Sequence, residues 1–233
     1  QWITNSPYAD YAMIFAITDE EKVAARKGGI SGFFVRTDTP GFSVPSVIPI
    51  MGHLGADTGI VHLDQLRVPD RQRLGPLHNG LSVAMDGVNA GRLSMAGSCV
   101  GIARWALNQA LAYVKIRKTF GRLIAEHQAV QIMLAECAMD IYAVKSMLRH
   151  CAWLIDEGRS ATKEVSMAKA CATEMVSRVV DKAIQVHGAI GLTNELRLEE
   201  AYRWARVLRI PDGTAEIQRR TIARRLLSGD TEI

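Results

Sequence analysis

After Pro69 the hydrophobic period of this 233-residue chain changes, and the change limits the fold more than any single motif does. The stretches LSVAMDGVNAGRLSMAGSCVGIARWALNQALAYV, HQAVQIMLAECAMDIYAVKSMLRHCAWLI and VSMAKACATEMVSRVVDKAIQVHG repeat their apolar positions at i, i+3, i+4 and i+7. That spacing stacks apolar side chains on one face of a helix. Helices of about 25 residues run about 38 Å, more than a small α/β sheet needs for cover. They predict a bundle whose wide apolar stripes are buried in part against other subunits. Two shorter helical segments follow, LRLEEAYRWARVLR and TAEIQRRTIARRLL, with Pro-Asp-Gly between them. Gly121, Gly158, Gly188 and Gly213 mark the helix ends.

Before Pro69 the pattern is different. YAMIFAIT, ISGFFVRTD and GIVHLDQLRV are short, rich in β-branched and aromatic residues, and separated by Gly, Pro and Asp clusters. They predict antiparallel strands, with the charged, Gly-terminated EEKVAARKGG as an exposed hairpin connection. The expected class is α+β multidomain: a partial antiparallel β-barrel or sheet domain over 1–70, then an up-down four-helix bundle over 71–233.

The formal charge of +4 comes from 28 basic and 24 acidic residues spread along the chain. Such a spread gives little support to nucleic-acid binding and leaves room for an anionic ligand held by a few Arg residues. Cys99, Cys137, Cys151 and Cys171 lie far apart in apolar helical sequence, and they read as reduced core thiols of an intracellular protein. No membrane span is expected, because no run of 18 apolar residues occurs. His53, His62, His78, His127 and His150 have no ligand spacing, and no Glu-x-x-His pair occurs, so no metal site is expected. His187 reads as a packing residue. The chain opens QWITNSPYAD, without a start methionine and already in strand-like sequence, and is read as part of something longer.

The breaker Pro-Asp-Gly poses the functional question. Pro211 disfavours helical geometry at Ile210, and Gly213 lets another group approach the backbone. Asp212 is left near the positive end of the next helix dipole. It is either an ordinary cap-and-turn residue or a base held in a cleft between two helix ends. Spacing alone leaves both open.

Five segments, in order, resemble the acyl-CoA dehydrogenase family. WITN at 2–5 is similar to the flavin-contacting strand, and MGHLGADTGIVHLDQLRVP to the last strands of the middle β domain. RKTFGRLIAEHQAVQ resembles the helix-to-helix turn, QVHGAIGL the Gly-rich turn, and PDGTAEIQRR the catalytic loop. The resemblance implies an FAD enzyme that removes two hydrogens from the α and β carbons of an acyl-CoA. A carboxylate takes the α proton while the β hydrogen leaves as hydride to the flavin. The family's usual Glu-Gly-Thr is here Asp212-Gly213-Thr214. The shorter side chain requires a shift of about 1 Å by substrate or loop, enough to matter to rate. Some branches carry the base immediately before an Arg on the first long helix, but here that position is Gly91, before Arg92. Asp86 and Glu126 match neither motif position, so the resemblance points to Asp212 as the base.

Further roles follow from the resemblance, residue by residue. Thr4 is similar to the hydroxyl that hydrogen-bonds flavin N5, and Trp2 to the ring beside the isoalloxazine. Arg117, Thr119 and Phe120 resemble the contacts to a neighbouring subunit's FAD, and Gln185, Gly188 and Gly191 resemble a turn whose backbone meets the diphosphate. Gly213, Thr214 and Glu216 match cofactor-contacting positions, with Gly213 also beside substrate, although Glu216 replaces a Gln and would repel phosphate if close to it. Asn89 and Arg92 resemble helix positions facing the CoA pantetheine.

The resemblance also implies a homotetramer (or a dimer) and an electron-transfer flavoprotein as electron acceptor. The location would be cytoplasmic in a bacterium and mitochondrial or peroxisomal in a eukaryote. The family's N-terminal helices and preceding strand have no counterpart in this sequence, so the chain by itself is expected to be inactive. Two other readings stand beside the dehydrogenase: a nitroalkane-oxidase-like flavin oxidase on the same scaffold, and a flavin-free oligomerising scaffold. Retention of WITN, RKTFGR and PDGT argues against the last. The small residues of GRLSMAGSCVG fit either room for an acyl chain or close helix packing.

Overall fold

A computed structural model describes residues 1–52 and 55–232, so His53 lies outside the described residues. In chain order the elements are β1 (Ile3–Thr4), β2 (Tyr11–Ile17), α1 (Glu20–Ala24), β3 (Ile30–Arg36), β4 (Phe42–Ile48), β5 (Thr58–Leu63), β6 (Arg73–Leu74) and α2 (Gly80–Val114). Then follow β7 (Lys118–Thr119), β8 (Arg122–Leu123), α3 (Gln128–Asp156), α4 (Thr162–His187), α5 (Leu198–Val207) and α6 (Ala215–Leu227). The expected α+β class, small antiparallel sheets followed by a helical region, is the observed one. The chain divides into two compact units, 1–88 and 89–233, with α2 beginning in the first and continuing into the second.

The first unit holds two three-stranded antiparallel sheets, ordered β1-β5-β4 and β2-β3-β6. β2 and β3 pair along their whole length, from Tyr11 opposite Arg36 to Ile17 opposite Ile30. Their connection differs from a plain hairpin loop. Asp19 accepts the Lys22 backbone N–H at 2.9 Å and caps α1, whose first turn carries Glu20 and Glu21 at the positive helix end.

β4 is absent from the strands expected above because its sequence, FSVPSVI, contains a proline. It is accommodated because β4 lies at the sheet edge and its register shifts between Ser43 and Ser46, the interval that contains Pro45. GIVHLDQLRV is strand only as far as Leu63, and Gln65 turns the chain at φ +48°.

In the second unit α4 is the central element, packed by α3, α5 and α6. Ala96, Cys99, Ala103, Ala106 and Ala110 of α2 recur every three or four residues and are buried in one cluster. With them lie Cys137, Ile141 and Val144 of α3, Met175, Val176, Val179 and Val180 of α4, and Leu198 and Ala205 of α5. Small side chains along this α2 stripe therefore serve helix packing. Cys99, Cys137 and Cys151 are buried free thiols as expected, but Cys171 of α4 is exposed.

Gly121 is a further correction. α2 ends at Val114, and Gly121 instead forms, with Phe120, the two-residue turn of the β7–β8 hairpin, at φ +80° and +50°. Two successive positive φ values suit a type I′ turn.

The α4 helix buries cations as well as apolar groups. Lys163 is 1% exposed. Its ammonium ion-pairs with Asp230 at 2.5 Å and with Glu164 at 3.4 Å, and it also donates to the Glu232 carbonyl, tying the C-terminal segment to α4. Met175 lies at the centre of the cluster with no exposed surface. In the complete protein Met175→Ala is expected to lower stability by about 2–5 kcal/mol, read from equilibrium denaturant unfolding.

Candidate active site

The loop between α5 and α6 is shaped by two left-handed residues in succession, Asp212 at φ +54° and Gly213 at φ +92°. Thr214 then returns to extended geometry and caps α6, its hydroxyl accepting the Ile217 N–H. Gly213 has no substitute here. A Cβ at this position would lie 2.9 Å from Gln218 Nε2, 3.2 Å from Ile217 Cγ2 and 3.3 Å from Arg92 Nη2. For Asp212 the left-handed region costs about 1–2 kcal/mol relative to ordinary backbone, which Asp and Asn tolerate better than most residues.

Three buried side chains from three helices hold this conformation. Arg92 of α2 donates Nε–H to the Asp212 carbonyl at 2.8 Å. Gln218 of α6 donates to the carbonyls of Asp212 and Gly213, both at 3.0 Å. Lys169 of α4 donates to the Gly213 carbonyl at 2.8 Å. Arg92 is 6% exposed, and Lys169 and Gln218 are 0% exposed. Asn89, one helical turn before Arg92, accepts its Nη1 at 3.0 Å and fixes the guanidinium plane.

Burial pulls the Lys169 amine below its ordinary value, opposed chiefly by the charge of Asp212 and reinforced by Arg92. Burial lowers Arg92 as well, against the charge of Asp212.

The Asp212 side chain is treated in the opposite way from its backbone. Among the described residues no hydrogen bond or ion pair engages the carboxylate, although its carbonyl accepts two. Oδ2 lies 3.0 Å from the point where a Cβ at residue 91 would stand. The two positions at which the family resemblance allows a base therefore converge in space, and Gly91 leaves the room to Asp212. What results is a half-buried carboxylate on a clamped backbone, with its acceptor lone pairs available.

Glu216 lies exposed in the first turn of α6. Its carboxyl is held below the ordinary range by its own backbone N–H and by the Thr214 hydroxyl, so its charge is directed at the helix N-terminus.

The remaining candidates of the second unit form another group. Phe120 projects from the β7–β8 turn, 96% exposed, with its ring edge-on to His127 at 6.3 Å. Thr119 Oγ1 lies 3.3 Å from His127 Nε2. Arg117 is exposed, and its carbonyl accepts Ile124 N–H at 2.9 Å.

Gln185 is exposed near the end of α4, and Gly188 ends that helix at φ +65°. Gly191 packs so tightly that a Cβ would lie 2.8 Å from the Ile184 carbonyl oxygen. His187 is a buried packing residue, its Nδ1 donating to the Ala183 carbonyl at 2.7 Å and its ring 4.5 Å from that of Tyr113. At the rise of an α-helix, Arg92 and the end of α2 are about 33 Å apart, and Lys169 and Gln185 about 24 Å. One copy of the chain therefore keeps the Asp212 group and the Phe120 group apart.

In the first unit, Trp2 is 61% exposed at φ +66°, and Thr4 is exposed opposite Thr58 on β1. Among the described residues no cluster of three His, Cys, Asp or Glu is placed to hold a metal, and no helix is long and apolar enough to cross a membrane.

Sequence reasoning missed Lys169 and Gln218. The signal for Lys169 was available: it follows Val165 by four residues and precedes Ala172 by three, inside the apolar stripe of α4. A lysine there needs a buried acceptor.

Comparison with known proteins gives the family of the chain. Residues 1–66 match the family model described as acyl-CoA dehydrogenase, middle domain, and residues 78–227 the one described as acyl-CoA dehydrogenase, C-terminal domain. A probable acyl-CoA dehydrogenase of Bacillus subtilis is 42% identical over 97% of this chain and 59% of its own length. A caffeyl-CoA reductase-Etf complex subunit of Acetobacterium woodii is 38% identical over the same shares. The solved butyryl-CoA dehydrogenase of Megasphaera elsdenii superposes with a TM-score of 0.91 at 31% identity, over 97% of this chain and 58% of that one. The chain thus spans 59% of the length of these curated relatives. With two family models matched in order along nearly all of its length, the chain belongs to the acyl-CoA dehydrogenase family.

Proposed function

We propose that the protein is an FAD-dependent acyl-CoA dehydrogenase in which Asp212 is the base that removes the α proton of an acyl-CoA thioester. The observation that carries this reading is the contrast at Asp212: both carbonyls of the Asp212–Gly213 turn are pinned by buried donors, while the carboxylate is engaged by none. A general base needs this combination of a fixed position and a vacant acceptor. The Asp212 oxygen takes the α proton and becomes a neutral acid. Gly91 provides the space in which the shorter carboxylate meets the α carbon. Arg92 and Asn89 lie beside this position on α2 and would face the pantetheine.

The residues present suit a flavin. Exposed aromatic surface at Trp2 and Phe120 offers faces for planar rings, and the exposed Thr4 hydroxyl offers a donor. FAD, when bound, supplies the acceptor for the β hydride. By the resemblance, Trp2 and Thr4 would contact its ring, and Gly213, Thr214 and Glu216 match further cofactor-contacting positions. Arg117, Thr119 and Phe120 would reach it from a neighbouring subunit, and the backbone of the turn at Gln185, Gly188 and Gly191 would meet its diphosphate.

The separation of these groups along α2 and α4 supports that division and an oligomer, a homotetramer or a dimer. An electron-transfer flavoprotein is the proposed acceptor, supported by the Etf-complex subunit among the relatives. We assign residues 1–70 to the middle β domain and 71–233 to the bundle domain; the location would be cytoplasmic in a bacterium, as in the organisms of the relatives, and mitochondrial or peroxisomal in a eukaryote.

Asp in place of the family's usual Glu favours one second reading, an oxidase of the nitroalkane type. It predicts flavin reduction by nitroalkanes, and peroxide in air.

The complete protein, anaerobic and loaded with FAD, is expected to lose its visible flavin band on addition of an acyl-CoA. Asp212→Asn keeps the left-handed turn and the flavin and is expected to slow the bleaching by about 10²–10⁴-fold; an unchanged rate would remove Asp212 from the chemistry. Gly213→Ala, strained both by its φ and by its neighbours, is expected to cost more than about 1 kcal/mol in thermal unfolding.

A further inference from the structure

The α3 helix is apolar on two opposite faces, and its own chain covers one of them. Cys137, Ile141, Val144, Cys151 and Leu154 are buried. On the far side of the helix Ile132, Met139, Tyr142, Ser146, Arg149 and Trp153 are exposed, at spacings of seven, three and four residues that keep them in one row. The four large apolar members are strongly exposed: Ile132 52%, Met139 71%, Tyr142 74% and Trp153 49%. Single exposed apolar residues are ordinary on a surface, but a row of four over about 32 Å of one helix is not. Beside Tyr142, Leu107 of α2 with Ala138 and Ile141 of α3 floors an open cleft of about 290 Å³, room for a side chain from outside.

We propose that this outward face of α3 is the surface on which two copies of the chain meet, with the two helices antiparallel about a two-fold axis between Tyr142 and Ala143. The inference rests on the oligomer of the reading above and is independent of the chemistry at Asp212. A pair related by a two-fold axis presents the same patch from both sides, so the patch must complement itself. This one does. The axis sets Ile132 of one copy at the level of Trp153 of the other and keeps Met139 and Tyr142 at the centre, residue types that interface cores favour. It also sets Glu136 at the level of Arg149, opposite in charge. Arg149 has no ion pair among the described residues, and Glu136 meets Lys182 of its own chain through Oε2 alone, so Oε1 can accept the second copy's guanidinium.

The test is the mass of the complete protein in solution, by sedimentation over a range of concentrations, with helix content checked by circular dichroism. Met139→Glu puts a charge at the centre of the contact and is expected to lower the mass to about half that of the wild type, whether a tetramer falls to dimers or a dimer to monomers. Glu136→Arg and Arg149→Glu each set like charges opposite one another and are each expected to weaken association about tenfold or more. Combining the two restores an opposite pair and is expected to return association to near the wild-type value, a rescue that only the antiparallel arrangement gives. A double variant as weak as its parents overturns that arrangement. A wild-type oligomer whose mass none of these substitutions changes overturns the interface while the oligomer reading stands, and shows that α3 is covered by the rest of the polypeptide or by a different protein. A monomeric wild type overturns both. Should Met139→Glu fail to fold, the charge-exchange series carries the comparison.

Discussion

The geometry of the Asp212 loop depends on donors buried beneath it. A left-handed Asp followed by a left-handed Gly turns both carbonyls inward, where water cannot satisfy them, so the turn persists only if the protein supplies hydrogen bonds from inside. Arg92, Lys169 and Gln218 supply them from three separate helices. The arrangement couples packing to chemistry: the loop keeps its position only while α2, α4 and α6 keep their relative positions. The apolar cluster of α2, α3, α4 and α5 has a second role, since it sets the spacing across which Arg92 and Lys169 reach the loop.

The location of α4 follows from the same requirement. It carries polar residues at 163, 166, 169 and 173 that are nonetheless buried. Ser166 and Thr173 turn their hydroxyls back onto carbonyls one turn earlier, at 2.9 Å and 3.1 Å, so they bring no unsatisfied groups into the interior. The two lysines cannot satisfy themselves in this way. One draws the C-terminal segment onto the helix, and the other draws the loop. A central helix built in part from such residues stabilises less than an apolar one of equal length, but it fixes where its neighbours must sit.

The sequence made some of this legible. The change of hydrophobic period at Pro69 located α2 to α6 because long helices repeat the same spacing many times. The strands were less legible: β4 is concealed by Pro45, which only an edge position with a shifted register tolerates. Gly121 was misread because a glycine after a helix and a glycine in a tight hairpin look alike until the strands flanking it are seen. Asp212 was identifiable as a candidate from its breaker context and its family resemblance. Its clamp was not, because Lys169 and Gln218 lie 43 residues before it and 6 after it and meet it only in the fold. That Gly91 is empty was legible from the resemblance, but that the room it leaves lies beside Asp212 is a relation between α2 and the α5–α6 loop that only the fold shows.

The central claim is that Asp212 removes a proton from the carbon next to a thioester carbonyl. It is tested most directly without the redox step, by incubating the complete protein in D₂O with an acyl-CoA analogue that cannot lose a β hydride. The α protons are then followed by NMR. The account predicts that the wild type exchanges them for deuterium and that Asp212→Asn, with flavin still bound, does not. Exchange at equal rates in the two proteins would contradict it and place the base elsewhere.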